Sequence, residues 1–359
     1  MKINFLIVGQ GLAGSLLAWE LMRRGCRVVI IDNGQENASR VAAGLINPMT
    51  GMRLVKSADV DILLPAAIDY YAQLADFFKQ CFYHEKPLLR IFRNQDELMY
   101  GRQRLIQTDY QPYLTKLHAP EELIHPFMAP LGFLEQQKTG YLLTNPLLSC
   151  LKQYFIAHSS YRQATFDYQA MQLTPTLQWK DMAPERIIFC EGYQVEQNPW
   201  FSWLPLQPAK GEILTLRHKI LLPDKIINFG QWLIPLAQQQ SRMGATFDHT
   251  NLSTDPTEQA RNDLLRSLQT LAPTLQSTVM NHQAGIRPCT QDRQPLIGNH
   301  PKLPKLAVFN GFGAKGSLQI PWYAQHFADV LEKKIPLLKP CDSQRYEAHF
   351  TDSKSPYTD

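Results

Sequence analysis

The sequence lacks the features that define several protein classes. Its six cysteines are scattered and none form a C-x-x-C pair, which argues against a disulfide framework and indicates a reducing, cytoplasmic compartment. No apolar run approaches the length of a membrane helix, so we expect no membrane span. No block of lysine and arginine accompanies the net charge of +4, so nucleic-acid binding is not favoured. The ten histidines show no ligand spacing, and we expect no metal site.

The composition is that of a globular protein with room for two domains. The chain has 359 residues, of which 44% are apolar and 19% charged, so it can bury a large core. No internal repeat or low-complexity tract divides it. The mild positive charge would suit a small anionic substrate or a loose contact with RNA or a membrane surface.

The N-terminus carries a glycine-rich turn between two strands. Residues 3–8 form a short apolar run, "GQGLAG" follows, residues 12–24 have helical spacing, and residues 27–32 form a second apolar run that ends in Asp32. Gly9 suits the tight turn, Gly11 lets the backbone approach a pyrophosphate, and Gly14 lets the helix pack on the strand. Asp32 can accept hydrogen bonds from ribose hydroxyls. The pattern predicts a dinucleotide site and does not distinguish FAD from NAD.

The rest of the chain mixes predicted helices and strands. A helix is expected over residues 59–82, another after a cap at Asn145, and a third capped by Asp255 with Glu258 completing a capping box. The apolar runs at residues 186–190 and 306–311 are typical of buried strands. The runs at residues 212–217, 231–236 and 241–247 are typical of an antiparallel sheet.

Taken in order, six stretches resemble the FAD-dependent D-amino-acid oxidase superfamily. They are "IVGQGLAGS…VVIID", "ASRVAAGLINP", "IIFCEGY", "PLQPAKGEILTL", "QWLIPLAQQQSRMGATFD" and "GIRPCTQDRQPLIG…LAVFNGFGAKGSLQIPW". The resemblance implies an α/β fold with added antiparallel β structure, in which an antiparallel-sheet substrate domain is inserted into a discontinuous, Rossmann-like FAD-binding domain. We assign residues 1–83, 138–200 and 284–340 to the FAD-binding domain, 84–137 and 201–283 to the substrate domain, and 341–359 to a polar C-terminal tail, of which residues 343–359 are expected to fray.

The resemblance also implies FAD held by both ends of the chain. The FAD is expected to be noncovalent, because Cys289 does not coincide with the cysteine that anchors flavin in sarcosine oxidases. Cys190 and Glu191 stand where smaller residues are usual in the family. The expected cofactor contacts are Gly9, Gly11, Leu12, Ala13, Gly14, Asp32, Asn33, Arg40, Ala43, Gly44, Leu45, Gly192, Arg287, Gly311, Gly313, Ala314, Lys315, Gly316 and Ser317.

Four residues are nominated for catalysis on the same ground, and Lys56 is considered beside them. Arg287 matches the family arginine that grips the substrate carboxylate; a structural ion pair, for instance with Asp292, is the alternative. Lys315 stands where sarcosine oxidase has a lysine, and Trp232 where glycine oxidase has a tyrosine. Arg242 matches a lysine that helps reduced flavin react with dioxygen, or is a plain hairpin charge. Lys56 matches another sarcosine oxidase cation, or is a solvated charge.

These residues predict an FAD-dependent oxidation of a C–N bond. The implied substrate is a small carboxylate-bearing amino acid or secondary amine, of the glycine, sarcosine or D-amino-acid type, with dioxygen as the acceptor. One alternative is an oxidase acting on carboxymethylaminomethyl-uridine in tRNA, which is not favoured because the chain lacks a methyltransferase domain and a strong basic patch. Another is a dehydrogenase that passes electrons to a quinone or a protein.

Overall fold

The computed structural model describes residues 2–35, 37–122 and 124–350. The helices are α1 (Leu12–Arg23), α2 (Ala38–Val41), α3 (Val60–Phe78), α4 (Gln95–Leu105), α5 (Thr144–Ala157), α6 (Glu258–Leu271) and α7 (Gly316–Leu331). The strands are β1 (Lys2–Val8), β2 (Val28–Asp32), β3 (Leu45–Ile46), β4 (Met49–Thr50), β5 (Val55–Lys56), β6 (Tyr83–Glu85), β7 (Leu88–Ile91), β8 (Leu114–His118), β9 (Phe133–Gln136), β10 (Gly140–Leu142), β11 (Tyr161–Gln163), β12 (Met171–Gln172), β13 (Gln178–Trp179), β14 (Ala183–Phe189), β15 (Ala209–His218), β16 (Ile226–Asn228), β17 (Trp232–Pro235), β18 (Gln240–Gly244), β19 (Ser277–Arg287), β20 (Leu296–Asn299) and β21 (Leu306–Asn310).

A six-stranded sheet organises the first half of the architecture. Its order is β11-β2-β1-β14-β21-β20, and all neighbours are parallel except the β20–β21 pair. The apolar run of β1 is buried because helices cover one face of the sheet and an aromatic cluster around Phe189 covers the other. Helix α7 packs on α1 and α3, which joins the C-terminal helix to the N-terminal one.

An eight-stranded sheet forms the second layer. Its order is β19-β15-β18-β17-β16-β7-β9-β8, and every pair is antiparallel except β16 with β7. Helix α6 packs against this sheet through Leu264, Leu268 and Leu271. The strands of this sheet come from residues 88–136 and 209–287, and those of the six-stranded sheet from residues 2–32, 161–189 and 296–310.

The structure corrects two predicted helix caps. Helix α5 begins at Thr144, so Asn145 lies inside the helix, where its side chain donates a 2.9 Å hydrogen bond to the carbonyl of Arg40. Helix α6 is capped by Thr257, whose Oγ1 accepts from the Ala260 amide, and not by Asp255. The Asp255 carboxylate instead accepts a 3.1 Å hydrogen bond from Ser253 Oγ, and its carbonyl accepts one from Lys210 Nζ.

Part of the predicted C-terminal tail is packed onto the body. Cys341 and Ser343 are buried, and Arg345 pairs with Asp292 at 2.8 Å. Tyr346 and Phe350 pack against the aromatic cluster. The fraying predicted from the polar composition is therefore wrong for residues 343–350, because Arg345 and the two aromatic side chains have partners. Residues 351–359 lie outside the described residues.

Candidate functional site

The glycine-rich turn packs tightly at two positions and is open at the third. Gly9 has a φ of +103°, and a Cβ there would lie 2.5 Å from the carbonyl oxygen of Cys190. A Cβ on Gly14 would lie 2.0 Å from the Gly9 oxygen, so helix α1 sits directly on the turn. A Cβ on Gly11 would meet only Ser39 Oγ, at 3.3 Å. Gly11 therefore exposes its backbone to the cavity that the turn borders.

Asp32 is held at the end of β2 beside this turn. Its Oδ2 accepts a 2.8 Å hydrogen bond from the Gln10 amide, and its Oδ1 accepts one of 2.8 Å from the Gly34 amide. These bonds fix the carboxylate against the wall of the cavity, which Asn33 also lines. The arrangement fits a ribose contact of a bound dinucleotide.

One cavity of about 990 Å³ runs from the glycine-rich turn to the face of the eight-stranded sheet. It brings together both ends of the chain. The predicted site residues that line it are Gly9, Gly11, Leu12, Ala13, Asp32, Asn33, Ala43, Gly44, Leu45, Gly192, Trp232, Arg287, Gly313, Ala314, Lys315, Gly316 and Ser317. The predicted residues that do not line it are Gly14, Arg40, Arg242 and Gly311.

Arg242 supports the loop that follows α2. Its Nη2 donates to the carbonyl of Val41 at 2.7 Å and its Nη1 to the carbonyl of Ala42 at 3.0 Å. Gly44 makes the next turn with a φ of +71°, where a Cβ would collide with the Leu142 carbonyl oxygen at 2.0 Å. The guanidinium thus fixes the loop that contains Ala43 from behind and does not face the cavity.

Arg287 lies in the cavity wall on β19. Its Nη1 donates to the carbonyls of Lys210, at 3.3 Å, and Thr246, at 3.2 Å. The guanidinium lies across Gly211, where a Cβ would be 1.9 Å from Nη2, and 5.2 Å from the ring centroid of Phe247. Burial lowers the pKa of Arg287, against a smaller opposing contribution from Cys289.

Arg287 makes no ion pair with an acidic residue in the described part of the chain. Asp292, the alternative partner considered above, pairs with Arg345 instead. A buried cation without a protein counter-ion is suited to an anionic ligand.

Lys315 precedes helix α7 and contributes a second cation to the cavity. Its Nζ donates a 3.1 Å hydrogen bond to Ser57 Oγ, and burial, followed by the nearby Arg293, lowers its pKa. The amide groups at the start of α7 add a positive dipole end at the same wall. Lys56 pairs with Asp61 at 2.6 Å and does not line the cavity.

A buried carboxyl lines the cavity near the glycine-rich turn. Glu191 accepts hydrogen bonds from Tyr168 Oη, at 2.6 Å, and from Asn198 Nδ2, at 2.8 Å. Burial raises the pKa of Glu191 to about 7, although both hydrogen bonds act to lower it. The sequence singled out Glu191 only as a departure from the family pattern, and no motif pointed to Tyr168.

Sequence reasoning also missed a group of polar residues at the far end of the cavity. Arg90, Arg93 and Asn228 line it there. Arg90 and Asn228 lie on strands β7 and β16 and Arg93 just beyond β7, in stretches without a recognisable motif. Only the strand order, which sets β7 beside β16, brings them to one site.

The doubly wound sheet, its glycine-rich first turn and the adjoining cavity define a dinucleotide-dependent enzyme. A family model described as FAD dependent oxidoreductase (DAO) matches residues 4–141 and 165–330, which is most of the chain. The chain therefore belongs to the DAO family of FAD-dependent oxidoreductases, and its dinucleotide is FAD. The open backbone at Gly11 and the fixed carboxylate of Asp32 fit this cofactor.

The relatives with curated sequences are longer than the region they share with this chain. Glycine oxidase of Pseudomonas putida is 30% identical over 139 residues, 38% of each chain. The tRNA 5-methylaminomethyl-2-thiouridine biosynthesis bifunctional protein MnmC of Marinobacter nauticus is 24% identical over an alignment of 375 residues, which covers 95% of this chain and 57% of that protein. The matches thus span less than two thirds of either relative.

Solved structures share the whole architecture. Glycine oxidase from Geobacillus kaustophilus has a TM-score of 0.83 at 22% identity and covers 96% of this chain and 99% of its own. Iminodiacetate oxidase from Chelativorans sp. has a TM-score of 0.77 at 20% identity, with coverage of 94% and 98%. At these identities the likeness shows the fold, and confirms the predicted fold class. No described helix is long and apolar enough to cross a bilayer; the cytoplasmic location stays a prediction.

Proposed function

We propose that this protein oxidises the C–N bond of a small carboxylate-bearing amino acid or secondary amine, with dioxygen as the electron acceptor. The observation that carries the proposal is Arg287, a buried guanidinium in the cavity wall with no acidic partner in the described chain. A bidentate contact between this group and the substrate carboxylate would fix the α-carbon.

Each cavity-lining residue has a physical role in this reaction. Lys315 adds positive charge that favours the anionic substrate, and the start of α7 favours negative charge developing beside it. The Trp232 side chain, on β17, forms an apolar part of the cavity wall. FAD, when bound, would supply the two-electron acceptor for the hydride of the α-carbon, and hydrolysis of the resulting imine would give an oxo product and an amine or ammonia.

The test is anaerobic reduction of the flavin by carboxylate-bearing amines in Arg287→Leu. Losing a partly desolvated contact of this kind costs about 2–5 kcal/mol, which corresponds to roughly 30- to 5,000-fold in efficiency. We expect this loss of catalytic efficiency in Arg287→Leu at an unchanged flavin content. Arg287→Lys should recover part of the efficiency, because lysine returns the positive charge without the bidentate geometry of the guanidinium. Reduction by an amine without a carboxylate should change little.

A matched control is Arg102→Leu. Arg102 is exposed on α4 and makes no hydrogen bond or ion pair in the described structure, so this variant should behave as the wild type. Arg287→Leu turning over at the normal rate would mean that the clamp lies elsewhere, with Lys315 the next residue to change. Loss of flavin or failure to fold in Arg287→Leu would make the arginine a structural residue.

The acceptor is a separate part of the proposal. Arg242 was matched above to a cation that helps reduced flavin react with dioxygen. Its guanidinium is engaged by the carbonyls of Val41 and Ala42, so Lys315 is the better candidate for promoting the reaction with dioxygen. Reduced protein mixed with air should reoxidise rapidly and form hydrogen peroxide. Slow reoxidation that a quinone accelerates would favour the dehydrogenase alternative.

A modified uridine in tRNA remains a second candidate substrate. The observation in its favour is that the tRNA-modifying relative aligns over 95% of this chain, whereas the glycine oxidase of P. putida aligns over 38%. Flavin reduction by tRNA carrying carboxymethylaminomethyl-uridine, with a gel shift of the same tRNA, distinguishes it from a small amine.

A further inference from the structure

We propose that the substrate cavity contains a second subsite, formed by Arg93, Arg90 and Asn228, which binds an oxyanion at the far end of an elongated amine substrate. The inference rests on the proposed function, because it takes the Arg287 end as the place where the carboxylate beside the reacting carbon is held. It narrows the substrate class from any small amine to one with a distal carboxylate or phosphate.

Strand register places Arg90 and Asn228 on the cavity-facing side of the large sheet, and Arg93 follows just beyond β7. Arg90 pairs with Asn228, Asn228 with Trp232, Trp232 with Gly244, and Gly244 with Ile213. Paired residues of neighbouring strands present their side chains on the same face. Arg90, Asn228, Trp232 and Ile213 all line the cavity, so this row forms one wall of it.

Along this row of side chains, the distance between the two ends of the cavity exceeds the length of an amino acid. Arg287 lies across Gly211 on β15, and four strand spacings, on the order of 19 Å, separate β15 from β7. The Trp232 indole extends along this row, with Cζ2 3.0 Å from where a Cβ on Gly244 would be, so an elongated substrate would have to pass beside the ring.

The far end has an excess of positive charge. Glu97 accepts hydrogen bonds from Arg93 Nε, at 2.9 Å, and from Arg90 Nη2, at 3.1 Å, so one carboxylate is shared by two guanidinium groups. Among the described cavity-lining residues the only carboxylates are Asp32 and Glu191, and both lie beside the glycine-rich turn. One positive charge is therefore left uncompensated at this end.

Donors and acceptors at the subsite are left without protein partners. Arg93 Nη1 lies against Gly230, where a Cβ would be 2.7 Å away, and has no acceptor in the described structure. The Arg93 side chain is 39% exposed, which leaves the group accessible from the mouth of the cavity. Arg90 Nε and Asn228 Oδ1 are buried without a partner in the same part of the structure. An oxyanion at this end could accept hydrogen bonds from the two guanidinium groups, and from Asn228 Nδ2 after a flip of the amide, because Oδ1 is itself an acceptor.

The test uses unreactive ether analogues and the FAD-loaded protein. ω-(Carboxymethoxy)alkanoates from butanoate to octanoate carry both carboxylates, and the corresponding alkylphosphonates carry a phosphonate at the distal end. Alkoxyacetates of equal length carry only the proximal carboxylate. Binding is measured from the change in the visible spectrum of the oxidised flavin, which needs no turnover.

We expect the diacid that matches the cavity length to bind about ten-fold or more tightly than its alkoxyacetate partner. Arg93→Gln should remove that preference and leave alkoxyacetate binding unchanged, whereas Arg102→Gln, on the exposed face of α4, should keep it. A stronger preference for the carboxylate series or for the phosphonate series identifies the natural oxyanion.

Equal binding of diacids and alkoxyacetates at every length, or a preference that survives Arg93→Gln, would overturn the subsite and leave the proposed function intact. Failure of the proposed function looks different: alkoxyacetates would fail to perturb the flavin, or would bind equally well to Arg287→Leu. In that case the subsite, which depends on the clamp, falls with it.

Discussion

At the scale of single residues, Gly211 decides where the Arg287 guanidinium can lie. A Cβ at this position would be 1.9 Å from Nη2 and 2.3 Å from Cζ, so the guanidinium rests directly on the glycine backbone. Carbonyls of Lys210 and Thr246 and the ring of Phe247 fix its orientation. The arginine and the glycine therefore form one functional unit on adjacent strands.

Gly211→Ala should displace the end of the Arg287 side chain and leave the fold intact, because the colliding atoms belong to a flexible side chain. We expect the affinity for carboxylate ligands to fall by about 10- to 100-fold with a normal flavin content. In the Arg287→Leu background the same change should have no further effect, which a double-mutant cycle measures. Wild-type affinity in Gly211→Ala would show that the guanidinium position does not matter.

Glu191 makes the stability of the protein depend on pH. Its pKa is raised from 4.5 to about 7, so the folded state binds the proton more tightly than the unfolded chain. Stability should consequently fall as pH rises from about 4.5 to about 7 and then level off, by a total of about 3 kcal/mol. Glu191→Gln removes the ionisation and keeps an acceptor for Asn198, so it should be more stable than the wild type at pH 8.

Urea unfolding of the two FAD-loaded proteins at pH 5 and pH 8 provides the measurement. The difference in unfolding free energy between variant and wild type should be larger at the higher pH. An identical difference at both values would mean that Glu191 titrates near its ordinary range.

At the scale of elements, the short loop after α2 depends on a strand of the other sheet. Arg242 on β18 bonds the carbonyls of Val41 and Ala42, and thereby holds the cavity-lining Ala43 and Gly44 in place. The sequence motif "ASRVAAGLINP" contains no sign of this support, since 200 residues separate Ala42 from Arg242.

Arg242→Met should keep the apolar stem of the side chain and loosen this loop. We expect FAD to bind about 10-fold more weakly. Hydrogen bonds from a charged group contribute about 1.5–3 kcal/mol, and only part of this free energy is expressed as FAD affinity, because the rest orders the loop. Titration of the apoprotein with FAD, followed by flavin fluorescence, measures the change. Arg217→Met, at an exposed position of neighbouring β15, is the control and should bind FAD normally. Unaltered affinity in Arg242→Met would contradict the supporting role.

At the scale of the whole molecule, the cofactor cavity joins the two sheets. Its wall takes residues from the N-terminal turn, the end of β14, β15 and the start of α7. Among the described cavity-lining residues Cys190 is the one cysteine, and burial raises its pKa well above the usual range, which disfavours a covalent flavin link. Noncovalent FAD should therefore be removable.

Removal of FAD by dialysis against bromide at low pH should give a foldable but less stable apoprotein. A ligand at one hundred times its Kd stabilises the folded state by about 2.7 kcal/mol, which corresponds to a rise in Tm of about 4 °C for a chain of this size. Calorimetry with and without added FAD tests this. Equal Tm values would mean that FAD does not join the two sheets, and flavin that stays with the acid-precipitated protein would mean a covalent link.

The sequence by itself determined the parts of this protein that depend on local order. The strand, glycine-rich turn, helix and acidic residue of the first 32 residues specify a dinucleotide site because each task needs a particular residue at a fixed spacing. The order of the six stretches predicted the family, the cofactor and the two-sheet fold, and each was confirmed.

Tertiary structure decided everything that depends on strand order and on contacts between distant segments. From the sequence, Asp292 was a possible partner of Arg287. In the folded chain Asp292 pairs with Arg345, and the Arg287 guanidinium has no counter-ion among the described residues. Arg242 was separated from the cavity by a loop whose position no local pattern predicts. Arg90 and Asn228 meet because β7 pairs with β16, and sequence periodicity specifies which face a strand buries, not which strand lies beside it.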